Sequence, residues 1–403
     1  MLRQEEISAV LDAQAATFCK EENGLTREAL PLIPAIPSFA TIITGIRRCG
    51  KSTLLRQLMS QRYSRALYLN FEDIRLANFS TDDFARLLRE IESRGAPVLF
   101  FDEIQIIPRW EIFIHQLLNE EYTVFISGSN ASLLSKELGT HLTGRHIPME
   151  LFPFSYSEYL SFKQLAAGEE SLADYLHDGG IPEYVKNHSG VILNTLIDDI
   201  LIRDIAIRNS IKDVNSLRAL AVYLLSNVGN PVSAGKLTGM FGIKATSTFL
   251  DYFSFYQSSY LLEFVPTFNY SLKVQARNPK KVYAIDLGLV NEAAASFSDD
   301  TGHKLENLVF LHLRRQPGNH ICYYKGQGEC DFIVSQKGKA CSAVQVCHRI
   351  NDRNFAREYN GLLESMDALG LTEGTIVTYD QTDSFEENGK IIRMVPAHRF
   401  LLS

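Results

Sequence analysis

A chain of 403 residues is long enough for two or three domains, and 45% hydrophobic with 22% charged content is that of an ordinary globular protein. Its net charge of −7 excludes a surface coated for nucleic acid but leaves room for a local basic patch. No apolar run approaches the ~20 residues that span a bilayer, and the six cysteines (Cys19, Cys49, Cys322, Cys330, Cys341, Cys347) form no CxxC pair, so reduced thiols are expected rather than a disulfide framework or a zinc site.

Met1 to Lys20 reads as an acidic amphipathic segment without signal-peptide layout, which points to a cytoplasmic protein. The β-branched run Phe39–Thr44 then predicts a buried strand. It leads into Gly45-Ile46-Arg47-Arg48-Cys49-Gly50-Lys51-Ser52, which spells the phosphate-binding pattern G-x-x-x-x-G-K-[ST]. Thr53–Met59 follows as a good helix former with its N-terminus toward the phosphates. In such a loop the glycines turn backbone N–H groups inward, Lys51 reaches the terminal phosphates and the Ser52 hydroxyl binds Mg²⁺. Gly45, Arg47, Arg48, Cys49, Gly50, Lys51, Ser52 and Thr53 are therefore the expected nucleotide-binding set. A chance match in a glycine-rich turn would lack the strand and helix on either side.

Ala66–Phe71 predicts the next strand and Pro97–Phe101 another, which ends in Asp102-Glu103. Asp102 is placed to hold the metal opposite Ser52, and Glu103 to act as general base on the attacking water. A buried strand ending in two solvated acids is the plainer alternative. Tyr122–Ile126 predicts a fourth strand, running into Ser127-Gly128-Ser129-Asn130. Ser129 or Asn130 would sense the γ-phosphate there, or simply cap a helix. Arg145–Leu151 predicts a fifth strand, with Arg145 as a candidate arginine finger or a partner for a surface acid. Five strands alternating with helices predict an α/β, doubly wound parallel sheet that binds nucleotide at the carboxyl ends of its strands.

The loop Gly45–Ser52, together with Tyr68-Leu69-Asn70-Phe71-Glu72-Asp73, Phe101-Asp102-Glu103-Ile104-Gln105, Ser127-Gly128-Ser129 and Leu151-Phe152-Pro153-Phe154-Ser155-Tyr156-Ser157-Glu158-Tyr159, resembles a large prokaryotic family of AAA-type P-loop ATPases. Gly179-Gly180-Ile181-Pro182-Glu183-Tyr184 is similar to the family's marker beyond the ATPase core. The resemblance implies ATP and Mg²⁺ as cofactors and a C-terminal domain of unassigned function. Cys49 departs from it, standing where an aliphatic residue is expected, with its side chain turned away from phosphate.

Beyond the core, Val191–Arg208 has helical periodicity, with Arg203 and Arg208 on what reads as a solvated face. Helices over Leu217–Val228, Ser233–Phe241 and Ser247–Leu262 precede strands Phe264–Phe268 and Val282–Ile285. A basic arm with Lys273, Arg277, Lys280 and Lys281 joins those strands. This is the layout of a winged helix, and DNA binding would use the third helix in a groove and the arm on phosphates. Phe249, Tyr252, Phe253, Phe255, Tyr256 and Tyr260 on the third helix read instead as core or interface.

Helix Lys304–Arg314 and strands Ile321–Lys325, Cys330–Ser335 and Ser342–Val346 are similar to a restriction-endonuclease-like fold, with Glu306, Asp331, Gln345 and Cys347 at the positions that matter. Gln345 replaces an acid and Cys347 a lysine, so this end is expected to be inactive as a nuclease. Arg349 is the nearest candidate to restore the missing charge.

The expected domains are 1–165, an ATPase; 166–290, helical and winged-helix; and 291–403, nuclease-like. The expected function is Mg²⁺-dependent ATP binding and hydrolysis, as a switch or motor acting on DNA or a protein partner, with a protein partner or a homo-oligomer as the expected assembly. A nucleotide-binding regulatory module with little turnover is one alternative. A small-molecule kinase is another, but the chain shows no clear arginine-rich lid.

Overall fold

Runs of alternating β-branched and apolar residues, each followed by an amphipathic helix, leave one economical solution: a buried parallel sheet covered by its crossover helices. The computed structural model describes residues 1–20, 23–129, 144–293 and 300–403 and divides into two compact units, Met1–Phe152 and Pro153–Ser403. Asn130, a sequence candidate for phosphate sensing, lies outside the described residues.

In the first unit, strands β1 (Ala40–Thr44), β2 (Ala66–Asn70), β3 (Val98–Asp102), β4 (Thr123–Gly128) and β5 (His146–Glu150) form a parallel sheet of order β2-β3-β4-β1-β5. Helices α1 (Gln4–Lys20), α2 (Lys51–Arg62), α3 (Phe84–Arg94) and α4 (Trp110–Asn119) accompany it. Strands β1, β3 and β4 are central and almost wholly buried, which is why their sequences are unbroken apolar runs. Ile42, Leu69, Phe101, Trp110 and Ile126 belong to one hydrophobic core.

The acidic N-terminal segment turns out to be α1, packed over the edge strand β2. Gln14 of α1 binds the backbone of Asn70 twice: its Nε2 donates to the carbonyl oxygen (3.1 Å) and its Oε1 accepts from the N–H (2.8 Å). A side-chain amide thus takes the place of a neighbouring strand and blunts an exposed edge.

The second unit begins with α5 (Tyr156–Lys163), started by a capping box between Ser155 and Glu158. Helices α6 (Glu169–Asp178), α7 (Pro182–Asn187) and α8 (Gly190–Asp199) follow, the last continuing as a π-helical stretch Ile200–Ile207. Then come α9 (Val214–Leu225), β6 (Pro231–Val232), α10 (Ala234–Leu237), α11 (Thr246–Ser258), β7 (Leu262–Pro266), α12 (Leu272–Arg277), β8 (Lys280–Ala284) and α13 (Leu287–Ala293). β6, β8 and β7 make a small antiparallel sheet in that order. On α11, Phe249, Tyr252 and Tyr256 are buried, as is Tyr260 just beyond it; they form core rather than a contact surface.

The chain ends with α14 (Thr301–Arg315), β9 (His320–Lys325), β10 (Glu329–Gln336), β11 (Lys339–Val346), α15 (Phe355–Leu369), β12 (Glu373–Thr378), β13 (Asp383–Glu387), β14 (Lys390–Pro396) and α16 (Ala397–Phe400). Its mixed six-stranded sheet has the order β13-β14-β12-β11-β10-β9.

Candidate functional site

The loop between β1 and α2 is built by backbone conformations that ordinary residues avoid. Gly45 has φ 151°, Arg48 62° and Gly50 98°. A Cβ on Gly45 would stand 2.1 Å from the Leu151 carbonyl oxygen, so only glycine allows the loop to pass this close to the chain leaving β5. Gly50 is the last residue before α2 and turns the chain so that the helix opens at Lys51. The loop therefore ends on a helix N-terminus whose first N–H groups lack intrahelical partners, the arrangement that receives anions.

Lys51 is buried, and its Nζ donates to the carbonyl oxygens of Gly45 and Ile46, both at 3.0 Å. The ammonium therefore lies across the loop that would surround a phosphate. Ser52 and Arg48 are exposed, Arg47 pairs with Glu72 (3.6 Å), and Thr53 continues the first turn of α2. Cys49 is fully buried beneath the loop, and burial raises the pKa of its thiol.

Arg27, which the sequence reading passed over, holds this loop from below. It is buried, and its Nη1 and Nη2 donate to the carbonyl oxygens of Cys49 and Phe152, each at 2.7 Å. Its own N–H donates to Gln57 of α2 (3.2 Å). An isolated arginine in a loop carries no sequence signal that separates it from a surface residue.

At the carboxyl end of β3, Asp102 is buried and held by two hydroxyls: Tyr68 donates to Oδ2 (2.9 Å) and Ser127 to Oδ1. Neither hydroxyl was picked out as an orienting partner from sequence. Glu103 follows in a left-handed conformation, φ 54°, with its N–H bound to the Ser127 carbonyl oxygen (3.1 Å). Burial pushes the Glu103 carboxyl up to about 7 against the opposing pull of the Lys51 ammonium, with Asp102 and Glu72 adding to the rise. A carboxyl tuned toward neutrality is suited to accept a proton from water.

Gln105 donates through Nε2 to Glu103 Oε2 and is thus a positioning partner that the sequence reading did not weigh. Its Gln105→Ala variant should lower kcat about tenfold at nearly unchanged KM, since a hydrogen bond to a charged group is worth about 1.5–3 kcal/mol. Steady-state kinetics check this; a KM change with intact kcat would contradict it. Ser129 is buried directly after β4, at the same edge of the sheet.

As a finger for the nucleotide of its own chain, Arg145 needs correction. Its Nε, Nη1 and Nη2 donate to Ser38 O (3.0 Å), Asn119 Oδ1 (2.6 Å) and Leu118 O (3.1 Å). Ser38 precedes β1, and Leu118 and Asn119 precede β4, so the guanidinium lies at the amino ends of the strands. A five-residue strand spans roughly 15 Å, so Arg145 cannot reach a phosphate at the carboxyl ends of the same sheet. It fastens the sheet's far edge instead.

In the second unit, Glu306, Asp331 and Gln345 are brought together, but Cys347 does not join them as a lysine substitute. The Cys347 thiol donates to the Arg349 carbonyl oxygen (3.3 Å), and Arg349 itself is exposed. The cation near the acids is Lys281, which the sequence reading placed on a DNA-contacting arm. It is buried with its Nζ 2.8 Å from Asp331 and 3.1 Å from Glu306, so it touches no solvent-borne phosphate.

Residues 38–160 match the AAA domain family and residues 169–301 a domain of unknown function, DUF8612. An uncharacterized protein of Methanocaldococcus jannaschii is 31% identical over 403 aligned positions, which cover 92% of this chain and 90% of that protein. This chain belongs to the same family, and its first unit is an AAA-type P-loop ATPase domain. An uncharacterized protein of Haemophilus influenzae is 28% identical, with 86% of this chain and 91% of that protein covered. Among solved structures, a Walker-type ATPase of Pyrococcus abyssi is similar at a TM-score of 0.43 and 18% identity, covering 67% of this chain and 95% of that one. The Thermotoga maritima RuvB Holliday junction branch migration motor is similar at 0.30 and 17%, with 65% and 88% covered. Likeness at these scores carries no functional argument. Among the described residues, no helix is long and apolar enough to cross a membrane.

Proposed function

We propose that the family member described here hydrolyses ATP with Mg²⁺, and that the cycle switches its second unit between states of partner binding. The observation that carries the reading is the buried Glu103 carboxyl, raised to about 7 beside Asp102 and under the influence of Lys51, at the end of a phosphate-binding loop. Lys51 would leave the Gly45 and Ile46 carbonyls to neutralise the terminal phosphates. The Ser52 hydroxyl and the Asp102 carboxylate are both hard oxygen donors, which suits Mg²⁺, and Asp102 is already oriented by Tyr68 and Ser127. The metal would supply charge neutralisation across the phosphates. Glu103 would take the proton of the attacking water, and Ser129, buried directly after β4, would sense the γ-phosphate. Phosphate release from ATP by the purified chain tests this: Mg²⁺-dependent turnover is expected, and no release with or without DNA would favour a nucleotide-held binding module.

The stretch α9 to β8 follows the order of a winged helix, and we assign it that architecture; α14 to β12 follows that of a restriction-endonuclease-like core, without hydrolytic activity. The exposed face of α11 carries Ser247, Leu250, Asp251, Ser254 and Gln257, with no cation among them. Contact with phosphates would instead fall to Lys273, Arg277 and Lys280. DNA affinity, measured by fluorescence anisotropy, should drop about tenfold or more when these three become alanine, and should weaken steeply with salt. Affinity unmoved by the triple substitution contradicts a role for the arm. Tyr270 and Leu272, 87% and 79% exposed beside these cations, favour a second reading in which the arm meets a protein.

A further inference from the structure

The buried centre of the second unit has an unusual cation. Lys281 enters from β8, Glu306 from α14, and Glu329 and Asp331 from β10. The Lys281 Nζ lies 2.8 Å from Asp331 Oδ1, 3.1 Å from Glu306 Oε1 and 3.3 Å from Glu329 Oε1. Its Nζ donates to Asp331 and Glu306, and Glu329 adds a third negative charge within ion-pair distance. Tyr283 donates to the same Glu306 oxygen (2.6 Å), and the other Asp331 oxygen accepts from Val346 N–H (2.9 Å). Gln345 is engaged as well, accepting from Asp331 N–H (3.1 Å) and donating to Glu358 (2.6 Å).

Burying two carboxylates side by side is unfavourable unless a cation joins them. Hard oxygen donors converging in this way ordinarily receive a divalent metal. Here the positive charge is covalently attached. The ammonium lies between the Asp331 and Glu306 carboxylates and is ion-paired to both. Among the described residues, no three His, Cys, Asp or Glu side chains are spaced as a ready-made metal site, so these carboxylates would have to close in on an ion that replaced the ammonium.

We propose that Lys281 is the permanent cation of this centre, a tethered surrogate for a divalent metal, and that the centre takes up Mn²⁺ or Mg²⁺ only when the ammonium is removed. The inference rests on the nuclease-like reading of α14 to β12 and explains why the lysine position at Cys347 is dispensable. Since Lys281 lies on β8 and its acids on α14 and β10, the surrogate also ties the small sheet to the large one. A working nuclease would need at least one of these acids free for metal; here Asp331 and Glu306 are both paired to the ammonium.

The test uses nucleotide-free full-length protein and Mn²⁺ as the probe, read by calorimetry and by thermal melting. Wild type is expected to show no Mn²⁺ binding that Asp331→Asn removes. Lys281→Met is expected to gain one Mn²⁺ per chain and to melt higher with Mn²⁺ than without; adding Asp331→Asn should abolish both. Mn²⁺ binding by wild type that disappears in Asp331→Asn would overturn the proposal, whether or not Lys281→Met folds. So would a folded Lys281→Met protein that gains no binding. Incubation with supercoiled plasmid separates this failure from failure of the non-hydrolytic reading: Mn²⁺-dependent nicking by wild type, lost in Lys281→Met, would make Lys281 a catalytic lysine and defeat both.

Discussion

Lys51→Ala should bind ATP at least about 30-fold more weakly than wild type and show no measurable turnover. Lys51 is buried, and its ammonium is held by two loop carbonyls 3.0 Å away, so it is positioned before any nucleotide arrives. Removing one partner of a desolvated, hydrogen-bonded charge pair costs about 2–5 kcal/mol, or roughly 30- to 5,000-fold in affinity. A secondary cost follows, since the Gly45 and Ile46 carbonyls lose their donor. Equilibrium binding of a fluorescent ATP analogue measures the effect. Affinity within threefold of wild type would mean that the loop amides alone hold the phosphates and that Lys51 serves only the loop's shape.

Arg27→Ala is expected to cost the first unit about 3–5 kcal/mol. The guanidinium is buried and donates to the Cys49 and Phe152 carbonyl oxygens, so truncation leaves two buried acceptors short of a strong donor, at about 1.5–3 kcal/mol each. For a unit of this size the melting midpoint should fall by roughly 10 °C. The lesion differs from that of Lys51→Ala: the loop loses its support, so stability and nucleotide affinity fall together. Arg27→Lys should recover little, because one ammonium on a flexible stem does not reproduce two forked donors. Differential scanning calorimetry of the three proteins decides the matter; an unchanged midpoint for Arg27→Ala would remove Arg27 from the account of the site.

Much of the first unit could be read from residues because its requirements are local. Phe39–Thr44, Gly45–Ser52 and Thr53–Met59 each follow from steric and hydrogen-bonding rules that act within a few residues, and the observed β1 and α2 differ from the expected bounds by three residues at most. Side-chain partnerships were not legible in the same way. Gln14 on Asn70, Tyr68 and Ser127 on Asp102, and Arg27 on Cys49 join positions far apart in the chain, and nothing in a single sequence marks them. Arg145 shows the opposite hazard. It stands beside a strand, as a finger would, but its end of the strand is decided by sheet direction, which turns it away from the nucleotide edge.

One residue of the basic arm, Lys281, departs from the expectation for a related reason. Lys273, Arg277, Lys280 and Lys281 look alike in composition, but strand β8 gives Lys281 the inward side, and three acids from other elements neutralise it. Helix α12, lying inside what reads as an irregular arm, and the strands β12 to β14 were missed altogether. α12 is a six-residue helix without a buried face, so it lacks an amphipathic pattern. The short strand β13 is mostly exposed and lacks alternation.

The claim that Glu103 activates water at the phosphate loop is tested most directly by steady-state phosphate release from pH 5.5 to 8.5, with wild type beside Glu103→Gln. Burial places the free enzyme's Glu103 carboxyl near 7, and a general base works only when ionised, so kcat/KM should rise with pH and reach half its plateau near pH 7. Glu103→Gln should keep nucleotide affinity and lose ~10²–10⁴-fold in turnover at every pH. A flat profile for wild type, or a Glu103→Gln protein that hydrolyses ATP at the wild-type rate, would contradict the account.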